Sequence, residues 1–598
     1  MIKKILLFIL VISTSFIMCG CQKDETFDPW DDLGGNQQGE VSSESDTTYE
    51  LYDISSYLNQ EVSLPLENYS IDLSNIDLSV VTIEDNNIVI TKSGNYEFTG
   101  SYQGSIIIED TDGKVNVILN NVTLNSVDTA TIYFKKTSED RILTVKDNTI
   151  NTLTNELGTD EDSVIIAKKT SLVIQGTGTL NLIGSLEDCT GIKVKKELRI
   201  TGTTINIDVN KNGIKADEFL FFENVNLKVN ALNDGIKTDL EAESEEDGSN
   251  YTSSYTNGFI YIKNSNIDIT ATDDGIAANN LLYIDNTRDF IIDITTNSGA
   301  PSAITETSSD NASGKALKAG GVKLVIDDTE IDLQATYPEN YGLVIKGGTF
   351  ILNSNDDAIT SKGNIFILDG KFDISTGDDG IHAEYLTKIT GGEILINKCY
   401  EGVEGAQVEI TGGDLNITSV DDAINAANGD FETSYNFYIY LDNANILINA
   451  NGDGIDSNGN VTMNGGTVII YGPTRGANAS LDSDRGFVVN GGNLIAFGPM
   501  GMVENPASNS TQPYISLNTS TNSKNTVTIK KNNELLFQHT PSKTYQQLIV
   551  SLEDFNLNDT IILNIGSSEY EVTLSRIGNA IGQNSSGMGN QGQRPPRR

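Results

Sequence analysis

Histidine is nearly missing from this 598-residue chain: it holds two, His382 and His539, far apart in sequence. That leaves no basis for a histidine-based triad or a histidine zinc site. Basic charge is also scarce, with 39 Lys and Arg against 83 Asp and Glu and a net charge of −44. Nucleic acid is excluded as a default partner, because phosphate binding needs a basic face. No phosphate loop or dinucleotide fingerprint occurs. The run of apolar or small residues Ile5–Met18 has 14 residues, short of the roughly 20 that span a bilayer. Of four cysteines, two sit at the N-terminus; Cys189 and Cys399 remain. If the chain stacks in coils about 4.8 Å apart, those two lie about 40 Å from each other. No disulfide bridges that distance, so both are expected as buried, free thiols.

What the chain does contain is a repeated phrase of acidic or amide residues followed by Gly-Ile or Ala-Ile. It reads N-G-I-K at Asn212–Lys215, N-D-G-I-K at Asn233–Lys237 and D-D-G-I at Asp273–Ile276. Further copies stand at Asn355–Ile359, Asp378–Ile381, Glu401–Val403, Asp421–Ile424 and Gly452–Ile455. Gly191, Gly213 and Gly235 are 22 residues apart, as are Ala358, Gly380 and Gly402. A fixed period in the low twenties marks a solenoid of stacked supersecondary units. Between the acidic turns, stretches such as Gly392–Ile396 and Gly412–Ile417 alternate apolar and polar residues. That is the period of a half-buried strand, and no sustained 3.6-residue stripe competes with it. The leucine-rich alternative requires a leucine-asparagine consensus that is absent. The expected fold is all-β: a right-handed parallel β-helix solenoid with an N-terminal β cap and a small C-terminal β segment. The 55 glycines suit corners that need positive φ or close backbone approach.

The remaining organisation follows from composition. Lys3 and Lys4 precede the apolar run, and Met18-Cys19-Gly20-Cys21 follows it, the layout of a signal peptide. The cysteine motif resembles a bacterial lipobox, with Cys21 as the lipidated residue and plain secretion as the alternative. A diacylglyceryl group supplies two acyl chains, enough for stable anchoring. Residues 1–21 are thus expected to be a lipoprotein signal peptide and 22–62 an acidic flexible linker, which carries the single tryptophan, Trp30. The cap and first coils are expected over 63–160, the β-helix over 161–505, a C-terminal β segment over 506–577 and a disordered tail over 578–598. Polar insertions at 241–257 and 297–313 interrupt the period.

Stacking places equivalent corner residues about 4.8 Å apart, and carboxylates at that spacing repel unless a cation separates them. Calcium, with oxygens at about 2.3–2.6 Å, fits between such neighbours. The candidate ligands are Asp234, Asp274, Asp356, Asp357, Asp378, Asp379, Glu401, Asp421, Asp422 and Asp453. The competing account is that Asp and Asn are good turn residues that cap their own backbone. The position two residues after the small one runs Lys193, Lys215, Lys237, Lys318, His382, Glu404, Asn425 and Asp456. Its lysines can neutralise carboxylates across coils. In a uronate lyase, Lys237 is the candidate base, with calcium acidifying the α-proton; the acids around it argue against this by raising its pKa.

The run T-V-I-I-Y-G-P-T at Thr467–Thr474, N-A-S-L-D-S-D, and N-G-G-N-L-I-A-F-G-P-M-G-M at Asn490–Met502 resembles the closing signature of a bacterial carbohydrate-binding β-helix family. Ile88–Gly100 with Val115–Leu124 is similar to that family's N-terminal pattern, each read as strand, turn, strand. The resemblance covers about Ile71 to Pro506. It implies a polysaccharide-lyase-like β-helix, calcium as cofactor, cellulose or polygalacturonate as partner, and a lipid anchor as the link to the membrane, at the extracellular face. Tyr251, Tyr255, Tyr337 and Tyr341 are candidates to stack on sugar rings. Polysaccharide binder, lyase and structural adhesin are the functions in competition.

Overall fold

The computed structural model describes residues 63–582 apart from 66, 110–112, 127, 136–140, 157–162, 240–256, 310, 321–322, 327–328, 333–341, 430, 432–433, 476–477 and 501–503. The signal peptide with Cys21, the linker and Tyr251, Tyr255, Tyr337 and Tyr341 lie outside the described residues. So does nearly all of the insertion at 241–257, together with the tail from 583; Gly578–Gly582, expected as the start of the disordered tail, is instead a strand paired in parallel with Tyr514–Ser523. The chain divides into two units, Met1–Ser63 and Leu64–Arg598, and every described strand belongs to the second.

Strand pairing follows a rule of three. Ser163–Ala167 pairs in parallel with Thr190–Val194, which pairs with Ile214–Ala216. Leu172–Gly176, Glu197–Thr201 and Phe219–Glu223 form a second ladder, and Thr179–Gly184, Thr204–Val209 and Asn226–Ala231 a third. Each strand thus meets its counterpart in the repeats before and after it. The outcome among the described residues is one 45-stranded, mostly parallel sheet system, a pattern consistent with a parallel β-helix. No helix there is long and apolar enough to cross a membrane.

The alternation that marks strands in the sequence is the alternation of burial. In Asn226–Ala231, Leu227, Val229 and Ala231 are buried while Asn226, Lys228 and Asn230 are exposed. Register then aligns the buried positions into columns. One runs Leu180, Ile205, Leu227, Ile267, Ile292, Phe350, Phe372 and Ile394. Phe350 and Phe372 stack inside it at 4.6 Å and 5°, near the offset geometry that aromatic pairs favour. Val115–Leu124 departs from its strand–turn–strand expectation: Val115–Ser126 is one strand. Asn121, at φ 56°, sits where the register with the preceding strand slips, so the strand bends there and serves two ladders.

The corner glycines owe their identity to close approach. A Cβ on Gly235 would lie 2.5 Å from Ile269 Cγ2 and 2.6 Å from the Gly275 carbonyl oxygen. Positive φ falls at other corners, on asparagines such as Asn224 and Asn264, at 55° and 45°, and on glycines such as Gly392 and Gly413, at 104° and 93°. Beyond the parallel ladders, Tyr545–Ser551 pairs antiparallel with Asn493–Gly498 and Tyr514–Ser523. A separate four-stranded antiparallel sheet carries Glu534–His539, Val527–Lys531, Thr560–Ile565 and Ser568–Thr573. Ile529 and Leu563 of this sheet share a second apolar cluster with Ile495, Phe497, Leu517 and Leu548 of the three strands paired around Tyr545–Ser551.

Cys189 and Cys399 are free and fully buried, and burial pushes the Cys399 thiol well above its usual range. Thiolate is the reactive form. Ellman's reagent is therefore expected to find neither thiol in the folded protein and both in urea; rapid labelling of the native state would contradict this.

Candidate functional site

The acidic corners stack into a continuous backbone column. The N–H groups of Gly213, Gly235, Gly275, Ala316, Ala358, Gly380, Gly402 and Ala423 donate to the carbonyls of Asp234, Asp274, Lys315, Asp357, Asp379, Glu401, Asp422 and Asp453. Asp379, Glu401 and Asp422 therefore each have an acid directly above and below them, while Asp274 and Asp357 each have Lys315 on one side. Lys315 is the exception that sequence reading missed. It occupies the same column in the phrase G-K-A-L-K at Gly314–Lys318, where a lysine replaces the acid or amide of the other copies.

The carboxylates also serve the fold, in a different way from the expected self-capping. Asp274 N–H donates to Asp234 Oδ1 at 3.3 Å, Lys315 N–H to Asp274 Oδ1 at 3.0 Å and Asp379 N–H to Asp357 Oδ1 at 3.3 Å. Asp453 N–H donates to Asp422 Oδ1, and Ala479 N–H to Asp453 Oδ1. One oxygen thus caps the backbone of the next coil. Asp356, which accepts from Asp357 N–H at 2.8 Å, is nearer to the self-capping expectation.

The other oxygen separates the column into two regions. In the first, ammonium groups take it: Lys237 reaches Asp234 Oδ2 at 2.8 Å, Lys318 reaches Asp274 Oδ2 at 2.7 Å and Lys315 reaches Asp357 Oδ2 at 2.6 Å, while also meeting Asp356 at its capping Oδ1 at 2.7 Å. Burial pulls the Lys237 ammonium down, but the charge of Asp234, helped by Asp239 and Asp274, outweighs it and holds the pKa above the usual lysine value. An ion-paired, protonated lysine is a poor proton acceptor at neutral pH.

The second region is richer in uncompensated acid. His382 Nδ1 lies 3.3 Å from Asp379 and its Nε2 3.7 Å from Glu404. Burial opposes the imidazolium, yet Glu404 and Asp379 raise its pKa well above the ordinary range. Burial and the charges of Asp379 and Asp357 push Asp378 up to about 7. Burial and Asp379 push Glu401 up to about 8. Burial with Glu401, Asp456, Asp421 and Asp453 pushes Asp422 up to about 9. Asp422, Asp453 and Asp456 present oxygens within 4.8 Å of one another, as do Asp379, Glu401 and Glu404, and Asp356, Asp357 and Asp378. Asp234 groups in the same way with Asp273 and Asp274.

Asn425 stands in register between Glu404 and Asp456. It is 7 % exposed and donates Nδ2–H to Glu401 Oε2 at 2.9 Å. Its Oδ1 is buried without a hydrogen-bond donor. Glu404, Asn425 and Asp456 belong to the column two residues after the small one, and the regularity of that column was the signal that could have joined them to the acids. Ser309, whose hydroxyl donates to Asp378, comes from the insertion at 297–313, and no periodic signal points to it.

Where the two regions meet, a cleft of about 180 Å³ opens, lined by Lys315, Lys318, Lys362, Asp378, Asp379 and His382 among others. Lys318, Thr360 and His382 are successive rungs of one ladder.

A family model described as carbohydrate-binding domain-containing protein matches residues 84–350, 338–434 and 380–536. These segments take in more than half of the chain, and the protein belongs to that family. Among solved structures, the chain is similar to a polysaccharide lyase-like protein from C. thermocellum, determined as a gadolinium derivative. The identity is 21 % and the TM-score 0.32, over 38 % of this chain and 91 % of that one. No curated protein matches the chain.

Proposed function

We propose that this protein binds extracellular polysaccharide of the cellulose or polygalacturonate type on a right-handed parallel β-helix stabilised by calcium, tethered to the cell surface through Cys21. The observation that carries the reading is membership of a carbohydrate-binding family across residues 84–536. The long parallel ladders supply an extended face suited to an extended glycan.

The donor set supports calcium. Oxygens within 4.8 Å of one another on Asp422, Asp453 and Asp456 match what one ion spans at Ca–O distances of about 2.3–2.6 Å. The orphaned Asn425 Oδ1 beside them is a neutral oxygen of the kind calcium accepts alongside carboxylates. A hard, oxygen-only set disfavours softer metals. Asp234 and Asp274 are neutralised by lysines and fit an ion less well than the later acids. Bound calcium would offset the repulsion that holds Glu401 and Asp422 at raised pKa values.

Retention on cellulose or polygalacturonate beads, reduced by a chelator, is the expected result; no retention on either would overturn the reading. Calcium at about one hundred times its Kd is expected to stabilise the fold by roughly 2.7 kcal/mol, seen as a higher melting temperature that EDTA removes. An unchanged melting temperature would contradict the calcium assignment.

A further inference from the structure

We propose that the cleft over Lys318, Lys362 and Asp378, together with the aromatic group Tyr385, Phe431 and Tyr435 beside it, is a subsite for one sugar ring of the bound polysaccharide. The inference rests on the polysaccharide-binding reading and names where the glycan is gripped.

The aromatic group arises from an interruption of the repeat. Ala423 and Gly454 are corner equivalents 31 residues apart, where Ala358 and Gly380 are 22 apart. The added length falls between Ile424–Ala426 and Tyr438–Leu441. It brings Phe431 to 5.0 Å from the Tyr385 ring and Tyr435 to 4.5 Å from Phe431. All three rings are partly exposed, and none belongs to either apolar core of the described residues. Tyr435 also packs edge-on against the buried Phe437 at 5.2 Å, but no such contact accounts for Phe431 at the middle of the group. Partly exposed rings offer an apolar surface at which the C–H face of a sugar can stack.

The loop is fastened to the cleft. Asn428 Nδ2–H donates to the Glu384 carbonyl at 2.9 Å and to its carboxylate at 2.8 Å. The same carboxylate accepts from Lys362 Nζ at 2.5 Å. Glu384 follows His382 by two residues on the strand Ile381–Ile389, at the corner where the strand passes from the ladder of Ile381–Ala383 to that of Thr387–Ile389. Rings and cleft thus adjoin at Glu384, which joins Lys362 of the cleft to Asn428 of the loop.

The polar lining suits a sugar. A hydroxyl both donates and accepts, so a neighbouring pair of ring hydroxyls is satisfied by an acceptor set beside a donor. Lys318 and Lys362 supply donors, and Asp378 and Asp379 acceptors, within the one cleft. Its volume of about 180 Å³ is below the roughly 300–1,000 Å³ of drug-sized pockets, a scale that fits a single ring. An aromatic platform next to paired donors and acceptors recognises both faces of a carbohydrate, its C–H surface and its hydroxyl edge.

The test is calorimetric titration of the full chain with the hexamers of β-1,4-glucose and of galacturonate, on wild type, Phe431→Ala, Lys362→Met and the remote control Tyr570→Ala. Phe431→Ala and Lys362→Met are each expected to weaken the hexamer that wild type binds by about tenfold, the loss of one interface contact. Tyr570→Ala should bind as wild type. If Phe431→Ala disturbs its loop, Lys362→Met, which changes the cleft lining and no residue of the loop, still decides. Wild-type affinity in both cleft variants would overturn the subsite while leaving polysaccharide binding intact. A wild type that binds neither hexamer would overturn the binding reading itself, and the subsite with it.

Discussion

Replacing Lys315 with methionine is expected to cost about 3–5 kcal/mol, the range for breaking a buried ion pair by removing one partner. Lys315 is the single basic residue in the corner column between Asp234 and Asp453. Its ammonium bridges Asp356 and Asp357, whose side chains are 13 % and 4 % exposed. Burial works against the ammonium, but the charges of Asp357 and Asp356 hold its pKa well above the usual range. Methionine keeps most of the volume and removes the charge. Two adjacent buried carboxylates are then left facing Asp378 across the same group. Chemical denaturation reads the effect as a fall in the urea midpoint. A loss under 1 kcal/mol would place this pair with exposed salt bridges and would remove the distinction between the lysine-compensated and acid-rich regions.

Gly235→Val is the second large effect. The new Cβ alone would stand 2.5 Å from Ile269 Cγ2 and 2.6 Å from the Gly275 carbonyl oxygen. The carbonyl belongs to the ladder that stacks the coils, since Ile236 N–H donates to it at 2.9 Å. Relief therefore requires parting that hydrogen bond or displacing a packed isoleucine. Overpacking usually costs about 1–3 kcal/mol, and the branched valine is expected at or beyond the upper end. Gly235→Ala should be milder, because Ala316, Ala358 and Ala423 occupy the same column. Equal stability of the valine variant and wild type would mean that the coils are not stacked as closely as described.

The sequence exposed the period because the corners demand particular residues. A small residue must stand where neighbouring coils touch, and an Asp or Asn before it caps the coil above. Those requirements write Gly235, Gly275 and Gly380, and the acids preceding them, into a readable phrase. The alternation in Asn226–Ala231 likewise reports a strand with one wet face. What stayed hidden depends on contacts between coils. Lys315 stands directly before Ala316, whose place the count of Lys318 already gives, but a lysine where the other copies carry Asp, Asn or Glu does not read as a member of the acidic column. Whether an aspartate oxygen meets a backbone N–H, an ammonium or another acid is decided by the neighbouring coil. Asn425 reads as an ordinary strand residue until Glu401 claims its amide and leaves its carbonyl among acids. The aromatic loop near 431 lies outside the period altogether, so periodic reading passed over Phe431 and Tyr435.

The claim on which the calcium reading depends is that the acid-rich stretch around Asp422 takes up a divalent cation. Calcium titration by calorimetry into chelator-treated protein measures this directly. Wild type is expected to bind at least one ion, and the paired variants Asp422→Asn and Asp453→Asn to lose that binding while remaining folded. Absence of binding heat in wild type, or the same heat in both variants, would contradict it.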